Sequence, residues 1–133
     1  MKFSVAIPCF FKNISFCDAL HRCADLGFDT VETYNWKSLD LDAVHQTLQE
    51  TGIQLISLCT TEFRLNTPEH RQLWLDGLRE SCVAAQKLGV KKLITQVGQD
   101  TGGSREEQHT SIVKGLTAGI PILEEYGVTI MRS

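Results

Sequence analysis

The feature that most constrains this chain is a repeated joint, in which a glycine links an apolar helix pattern to an apolar strand pattern. The joint occurs four times, at Gly27, Gly52, Gly89 and Gly127, and an aromatic or branched residue follows each glycine. Glycine readily takes the left-handed conformation that ends a helix. Strands that alternate with helices are typical of βα units in a parallel sheet. The chain is therefore predicted to contain four βα units followed by a fifth strand.

The predicted helix starts support this repeat. Each helix pattern follows a residue whose side chain can accept a hydrogen bond from the first turn: Ser15, Asp40, Thr67 and Ser104. Glu107, three residues after Ser104, completes the pattern of a capping box, and Pro68 stands at a first helical position. The predicted strands are residues 3–8, 28–32, 53–58, 91–97 and 128–131.

Two folds suit five parallel strands with intervening helices. One is the first half of a TIM (β/α)₈ barrel, since 133 residues are about half the length of a complete barrel. The other is a flavodoxin-like doubly wound sheet. Residues 8–13, after the first strand, lack the phosphate-loop glycines and the acidic cluster that doubly wound proteins often carry there. We expect residues 1–133 to form a single partial TIM-barrel domain, truncated before the second half.

Composition and charge exclude several classes of function. A net charge of −3 gives no electrostatic attraction for nucleic acid or anionic lipid. No apolar run reaches the length of a membrane span. The five cysteines form an odd set without a CxxC pair, which is typical of reduced thiols in a cytoplasmic protein. The four histidines all fall in predicted helices without metal-ligand spacing, so the sequence predicts no metal site.

The candidate substrate-binding residues all lie at or just after the carboxyl end of a predicted strand, where parallel α/β folds bind their ligands. They are Glu32, Tyr34, Cys59, Thr60, Gln96 and Gly98. Glu32 is suited to hold a substrate hydroxyl, although a solvated carboxylate or an ion pair explains it equally well. Gln96 can hydrogen-bond a sugar-like oxygen or the loop backbone. Tyr34 can line a small polar pocket or pack on a helix, and a buried, inert thiol is the simpler interpretation of Cys59.

Gly98 opens a glycine-rich turn, residues 98–103, that precedes the helix capped by Ser104. Backbone N–H groups at a helix start can bind phosphate. The turn lacks the lysine of a P-loop, which favours a loop at the mouth of the fold over a phosphate site.

The residues also resemble a known family. Residues 93–98 (Leu-Ile-Thr-Gln-Val-Gly), 104–109 (Ser-Arg-Glu-Glu-Gln-His) and 111–115 (Ser-Ile-Val-Lys-Gly) are similar to the fourth βα unit of the hydroxypyruvate isomerase-like sugar isomerases. The similarity extends to residues 24–32 (Ala-Asp-Leu-Gly-Phe-Asp-Thr-Val-Glu) and 123–130 (Leu-Glu-Glu-Tyr-Gly-Val-Thr-Ile). These enzymes are xylose isomerase-like TIM barrels, so the resemblance implies that fold.

The resemblance also implies a chemistry, which is the isomerisation of hydroxypyruvate to tartronate semialdehyde by proton transfer between adjacent carbons. A carboxylate base moves the proton, and Mg²⁺ or Mn²⁺ is expected in the full-length family. In that family strand five continues into a Glu-Pro-x-Asn segment that supplies the base and a metal ligand. Here residues 128–131 read Val-Thr-Ile-Met and are followed by Arg132 and Ser133. The resemblance therefore assigns no catalytic and no metal-binding residue to these 133 residues, which are expected to be inactive.

An alternative of another class is a non-catalytic half-barrel. Strands one and five would be open edges, and such edges invite pairing with a second copy or another partner. The expected partners are thus a small hydroxycarbonyl or sugar-like substrate and a second copy of the chain, with no nucleic acid and no membrane. A DNA-repair endonuclease of the same superfamily is disfavoured by the acidic charge balance.

Overall fold

Five short strands and four helices alternate along the chain. The computed structural model describes residues 4–7, 14–33, 36–60, 65–95 and 102–132. The strands are β1 (Ser4–Ala6), β2 (Thr30–Glu32), β3 (Gln54–Cys59), β4 (Lys92–Thr95) and β5 (Thr129–Arg132). The helices are α1 (Phe16–Asp25), α2 (Leu41–Thr51), α3 (Arg71–Leu88) and α4 (Arg105–Tyr126), and a 3₁₀ turn, Pro68–His70, precedes α3. The predicted order of elements is confirmed.

Three of the four predicted capping residues begin their helices as expected. The side chains of Ser15, Asp40 and Ser104 each accept a hydrogen bond from the backbone N–H three residues later, at 3.1, 3.2 and 3.3 Å. Thr67 stands at the N-cap of the 3₁₀ turn and Pro68 at its start, as predicted, but the predicted capping bond is wrong, because the side chain of Thr67 makes none to the turn. Its hydroxyl instead lies 2.6 Å from Nδ1 of His70, so the turn that carries Pro68 leads into α3 without this cap.

The sheet is parallel throughout and its strands follow chain order, β1-β2-β3-β4-β5. A doubly wound sheet reverses its strand order at a switch point and carries helices on both faces. The flavodoxin-like alternative is therefore wrong. Parallel strands in unbroken sequence, joined by right-handed crossovers, place every helix on one side and curve the sheet toward a barrel. The chain forms part of a TIM barrel.

The core lies between the sheet and the helices. Strand residues Val31, Leu55, Leu58 and Leu93 are all buried against this layer. The helices contribute side chains that are equally buried and are spaced three or four residues apart, as one helix face requires. The largest of these are Leu20 in α1, Val44 in α2, and Trp74 and Leu78 in α3.

The opposite side of the sheet, which we call the inner face, is partly open. Successive strand residues point to opposite faces, and the strand register assigns the inner-face positions. In β2 to β5 they are Thr30, Glu32, Gln54, Ser57, Cys59, Lys92, Ile94, Thr129 and Met131. Met131 is 49% exposed, in contrast to the sealed layer under the helices. The inner face is the side that a complete barrel encloses.

Among the described residues no helix is both long and apolar enough to cross a bilayer. Cys17, Cys23, Cys59 and Cys82 are free thiols. Cys9 lies outside the described residues.

Candidate functional site

Of the six predicted substrate-binding residues, three lie in the described part of the chain. Glu32 ends β2, Cys59 ends β3, and Thr60 follows β3 directly. Tyr34, Gln96 and Gly98 lie outside the described residues, so their assignment stays a prediction. The three described residues occupy the same edge of the sheet, since β2 and β3 are parallel neighbours.

Glu32 and Ser57 form a side-chain hydrogen bond on the inner face. They are register partners on β2 and β3, and Oγ of Ser57 donates to Oε1 of Glu32 at 3.3 Å. Ser57 is 1% exposed, whereas Glu32 is half-buried. In the described part of the chain, no cation pairs with Glu32. The carboxylate therefore keeps acceptor capacity toward the inner face.

An irregularity in β3 creates this pairing. Val31 pairs with Leu55, but the next residue of β2, Glu32, pairs with Ser57, so β3 carries one extra residue, Ile56. An inserted residue reverses the alternation of the residues that follow it. Leu58 consequently joins Leu55 on the helix side, and the hydroxyl of Ser57 turns to the inner face.

Cys59 lies on the inner face beside this pair. Its register partner on β4 is Ile94, and both residues are half-buried. Burial raises the pKa of the Cys59 thiol, which keeps the sulfur protonated at neutral pH. It can line a pocket as a small neutral group, and its thiolate form is disfavoured as a nucleophile or metal ligand.

Thr60 is placed differently from Cys59, because it faces the helices. It is almost completely buried, and its hydroxyl lies 2.9 Å from Oγ1 of Thr95. That oxygen also accepts a hydrogen bond of 3.1 Å from Nε1 of Trp74 in α3. The three side chains join the ends of β3 and β4 to α3. The substrate-binding assignment of Thr60 gains no support from this geometry and stays a prediction.

The described residues do not by themselves make a divalent metal site. They contain no group of three or more His, Cys, Asp or Glu side chains close enough to hold a metal ion. Mg²⁺ binds oxygen ligands, usually one or two carboxylates together with water and substrate. Glu32 supplies a single carboxylate, and the neighbouring Cys59 thiol is a poor ligand for such a cation.

Sequence reasoning missed a groove of about 600 Å³ between the start of α3 and the start of α4. Nδ2 of Asn66 donates to Oε1 of Gln108 across this region at 3.0 Å. Its charged lining residues are Glu69, Glu106 and Glu107 on the acidic side and Arg71 and Lys114 on the basic side. This mixture favours neither anions nor cations. The groove lies between helix starts, away from the inner-face contact of Glu32 with Ser57.

Sequence reasoning also missed Ser57, Thr95 and Trp74. A hydroxyl inside the apolar run of β3 and another inside β4 were the available signals. A buried hydroxyl needs a hydrogen-bond partner, so each indicated a contact with another element. The sequence did not show which element supplies the partner.

Three solved structures illustrate what this fold resembles. AP endonuclease, family 2, from Brucella melitensis matches with a TM-score of 0.91 at 16% identity, over 99% of this chain and 55% of that chain. The IolI protein with a binding zinc atom matches with a TM-score of 0.84 at 22% identity, over 99% and 51%. D-allulose 3-epimerase from Methylomonas sp. in complex with D-allulose matches with a TM-score of 0.81 at 16% identity, over 99% and 50%. At these identities the likeness shows the fold alone, and the chain spans about half the length of the structures that it matches.

Sequence comparison gives the family. Among curated proteins no significant match is found. The xylose isomerase-like TIM barrel family matches residues 20–131. This segment begins within α1 and ends within β5. The strand order, the single helical layer and the open inner face are those of an incomplete barrel. The chain therefore belongs to the xylose isomerase-like TIM barrel family and forms five consecutive strands of that barrel.

Proposed function

We propose that these 133 residues form the substrate-holding part of a sugar isomerase or epimerase. The reaction moves a proton between adjacent carbons of a small hydroxycarbonyl compound. The resemblance in sequence points to hydroxypyruvate and tartronate semialdehyde as the pair that is interconverted. The observation that carries the proposal is the polar contact of Glu32 with Ser57, at the carboxyl edge of the inner face, where TIM barrels bind their substrates.

The likeness to other proteins supports the same class of ligand. One similar structure is an epimerase in complex with D-allulose, and another is 3-keto-D-glucoside 4-epimerase from E. coli. In our proposal Glu32 accepts a hydrogen bond from a substrate hydroxyl, and Cys59 lines the pocket beside it. Tyr34, Thr60, Gln96 and Gly98 remain proposed substrate contacts. Mg²⁺ or Mn²⁺ remains the proposed cofactor of the whole enzyme, and zinc is bound in the IolI structure.

The likeness to an AP endonuclease does not favour nucleic acid as a ligand. That likeness is one of fold, at 16% identity. A net charge of −3 opposes association with a phosphate backbone, whose binding depends on clustered Lys and Arg. We therefore propose a small-molecule substrate and no nucleic acid partner. A cytoplasmic location without a membrane partner stays a proposal.

Ligand protection of Cys59 tests the proposed site. We expect millimolar D-allulose or hydroxypyruvate to slow the alkylation of Cys59 by iodoacetamide, because a bound ligand covers the inner face beside it. The reaction is run at mildly alkaline pH, since burial raises the pKa of this thiol, and the rate is measured by peptide mass spectrometry. The same mixtures with Mg²⁺ or Mn²⁺ are expected to yield no isomerised product, because the resemblance places the base and metal ligands after strand five.

Cys17 is the matched control within the same samples. It is also a half-exposed free thiol, but it lies on α1, in the helical layer, so its alkylation should not respond to either ligand. Equal alkylation of Cys59 with and without both ligands would contradict the proposed site. Metal-dependent turnover by the pure chain would contradict the assignment of the chemistry to other residues.

A second candidate is a half-barrel that self-associates. β1 and β5 each have a single neighbour in the described sheet, and Met131 of β5 is 49% exposed on the inner face. Open parallel edges and exposed apolar side chains favour pairing with a second copy. Light scattering of the pure chain is expected to show a dimer, and Met131→Lys is expected to weaken it. A native chain that is monomeric at all concentrations, without binding of an apolar dye, excludes this candidate.

A further inference from the structure

We propose that Ser57 is a positioning residue for Glu32, and that together they make this end of the pocket specific for a hydroxyl-bearing part of the substrate. The inference rests on the proposed function, because it takes the inner face to be the substrate side. Ser57 thereby joins the site, the extra residue in β3 places it there, and Glu32 holds the hydroxyl-bearing end of the ligand.

The extra residue in β3 determines which way Ser57 faces. If β3 alternated regularly from Leu55, Ser57 would face the helices and Leu58 would face the inner side. The insertion of Ile56 reverses both. Leu58 then becomes completely buried on the helix side, next to its register partner Leu93. Burial of Leu58 stabilises the irregularity, and its consequence is a hydroxyl aimed at Glu32.

The hydroxyl of Ser57 donates to Oε1 of Glu32 at 3.3 Å, and Ser57 is 1% exposed, so packing holds the donor in place. The backbone supports the same arrangement, since the N–H of Thr33 donates to the carbonyl oxygen of Ser57 at 3.4 Å. With one oxygen engaged, the carboxylate has a preferred orientation and its other oxygen is free to accept.

Among the described residues Glu32 has no cationic partner, and the inner-face residues of β3 beside it, Ser57 and Cys59, are neutral. Lys92 of β4 also belongs to the inner face, but it is exposed and forms no ion pair with the described residues. An unpaired carboxylate attracts hydrogen-bond donors and repels anions. A hydroxyl of a sugar or of a hydroxy acid fits this position. A carboxylate or phosphate group of the ligand must lie elsewhere in the pocket.

The test combines one protein substitution with one ligand substitution. Hydroxypyruvate and pyruvate differ by a single hydroxyl, and D-allulose is a neutral ligand rich in hydroxyls. Affinities of the native chain, Ser57→Ala and Ser57→Thr are measured by ¹H–¹⁵N chemical-shift titration. We expect Ser57→Ala to weaken D-allulose binding about fivefold, because Glu32 loses the hydrogen bond that orients it and the bond from Glu32 to the ligand is weakened rather than removed. Ser57→Thr keeps the hydroxyl and should bind within about twofold of the native chain.

The ligand pair gives the readout that a purely structural role would not change. The native chain should prefer hydroxypyruvate over pyruvate, and Ser57→Ala should reduce that preference while Ser57→Thr retains it. An unchanged preference and unchanged D-allulose affinity in Ser57→Ala, with binding lost in Glu32→Gln, overturns the role of Ser57 and leaves the proposed function standing. A native chain that binds neither D-allulose nor hydroxypyruvate overturns the proposed function and this inference together.

Discussion

The Trp74→Ala variant is expected to lose about 4 kcal/mol of its free energy of unfolding, the usual cost of removing a buried aromatic side chain. Trp74 is completely buried in α3, and its indole N–H donates to Oγ1 of Thr95. The substitution leaves a cavity under α4 and removes the hydrogen bond that this oxygen accepts from the indole. A single domain is stable by only about 5–15 kcal/mol in total, so the effect is a large fraction of the whole.

A graded series separates packing from hydrogen bonding. Trp74→Phe keeps an aromatic ring but loses the donor and part of the volume, and is expected to cost about 1–2 kcal/mol. Leu73→Ala is the matched control, because Leu73 is the preceding residue of α3 and is 53% exposed; it should change stability by less than about 0.5 kcal/mol. The measurement is urea unfolding followed by far-ultraviolet circular dichroism. If Trp74→Ala lowers the free energy of unfolding less than the control Leu73→Ala does, the packing of Trp74 is not a main source of stability.

The local structure was predictable from sequence because its determinants are local. Ser15 and Asp40 begin their helices as predicted, since a capping bond joins residues only three positions apart. Gly52 follows α2 in the left-handed conformation, which few other residues adopt at low cost. Thr67 shows the limit of such rules, because its hydroxyl lies 2.6 Å from Nδ1 of His70 and makes no capping bond.

The arrangement of the strands was not predictable from pattern alone. Parallel strands that are buried on two faces have the same kind of apolar sequence in a barrel and in a doubly wound sheet. The order of the strands depends on which helices pack together across long sequence separations. The resemblance to a barrel family decided between the two folds, and the observed order confirms that fold.

The sequence predicted the edge of the sheet at which the candidate residues lie, but not the face of the sheet to which each side chain points. The rule that ligands bind at the carboxyl ends of parallel strands placed Glu32, Cys59 and Thr60 together, and they do share that edge. Which side each residue faces depends on alternation, and the extra Ile56 in β3 changes it. The sequence of β3 alone does not reveal the extra residue, because an extra residue is defined only by how β3 pairs with β2. Ser57 was missed for that reason, and Thr60 proved to face the helices.

The close packing of α4 on α3 gives the second large effect. Gly119 of α4 lies against Trp74, and a Cβ added there would stand 2.9 Å from Cζ3 of the indole ring and 2.9 Å from Cδ2 of Leu78. Helix interiors otherwise favour alanine over glycine by about 1 kcal/mol. We expect the contact to outweigh this gain, because the ring is buried and is held by its hydrogen bond to Thr95. Gly119→Val should therefore cost about 3 kcal/mol of unfolding free energy.

Ala118→Val is the matched control, since Ala118 is the preceding residue of α4 and is exposed. It should lower the free energy of unfolding by only about 0.7 kcal/mol, which is the difference in helix propensity between alanine and valine. The cause is tested by combining Gly119→Ala with Trp74→Phe. A smaller ring leaves room for the added methyl group, so the alanine substitution should cost about 1 kcal/mol less in the Trp74→Phe background than in the native chain. If the effects of Gly119→Ala and Trp74→Phe on stability simply add, glycine is needed at this position for a reason other than contact with the Trp74 ring. Coupling of the expected sign would show that α4 approaches α3 as closely as the indole of Trp74 allows. The same ring would then determine the distance between the two helices and provide the hydrogen bond that joins β4 to α3.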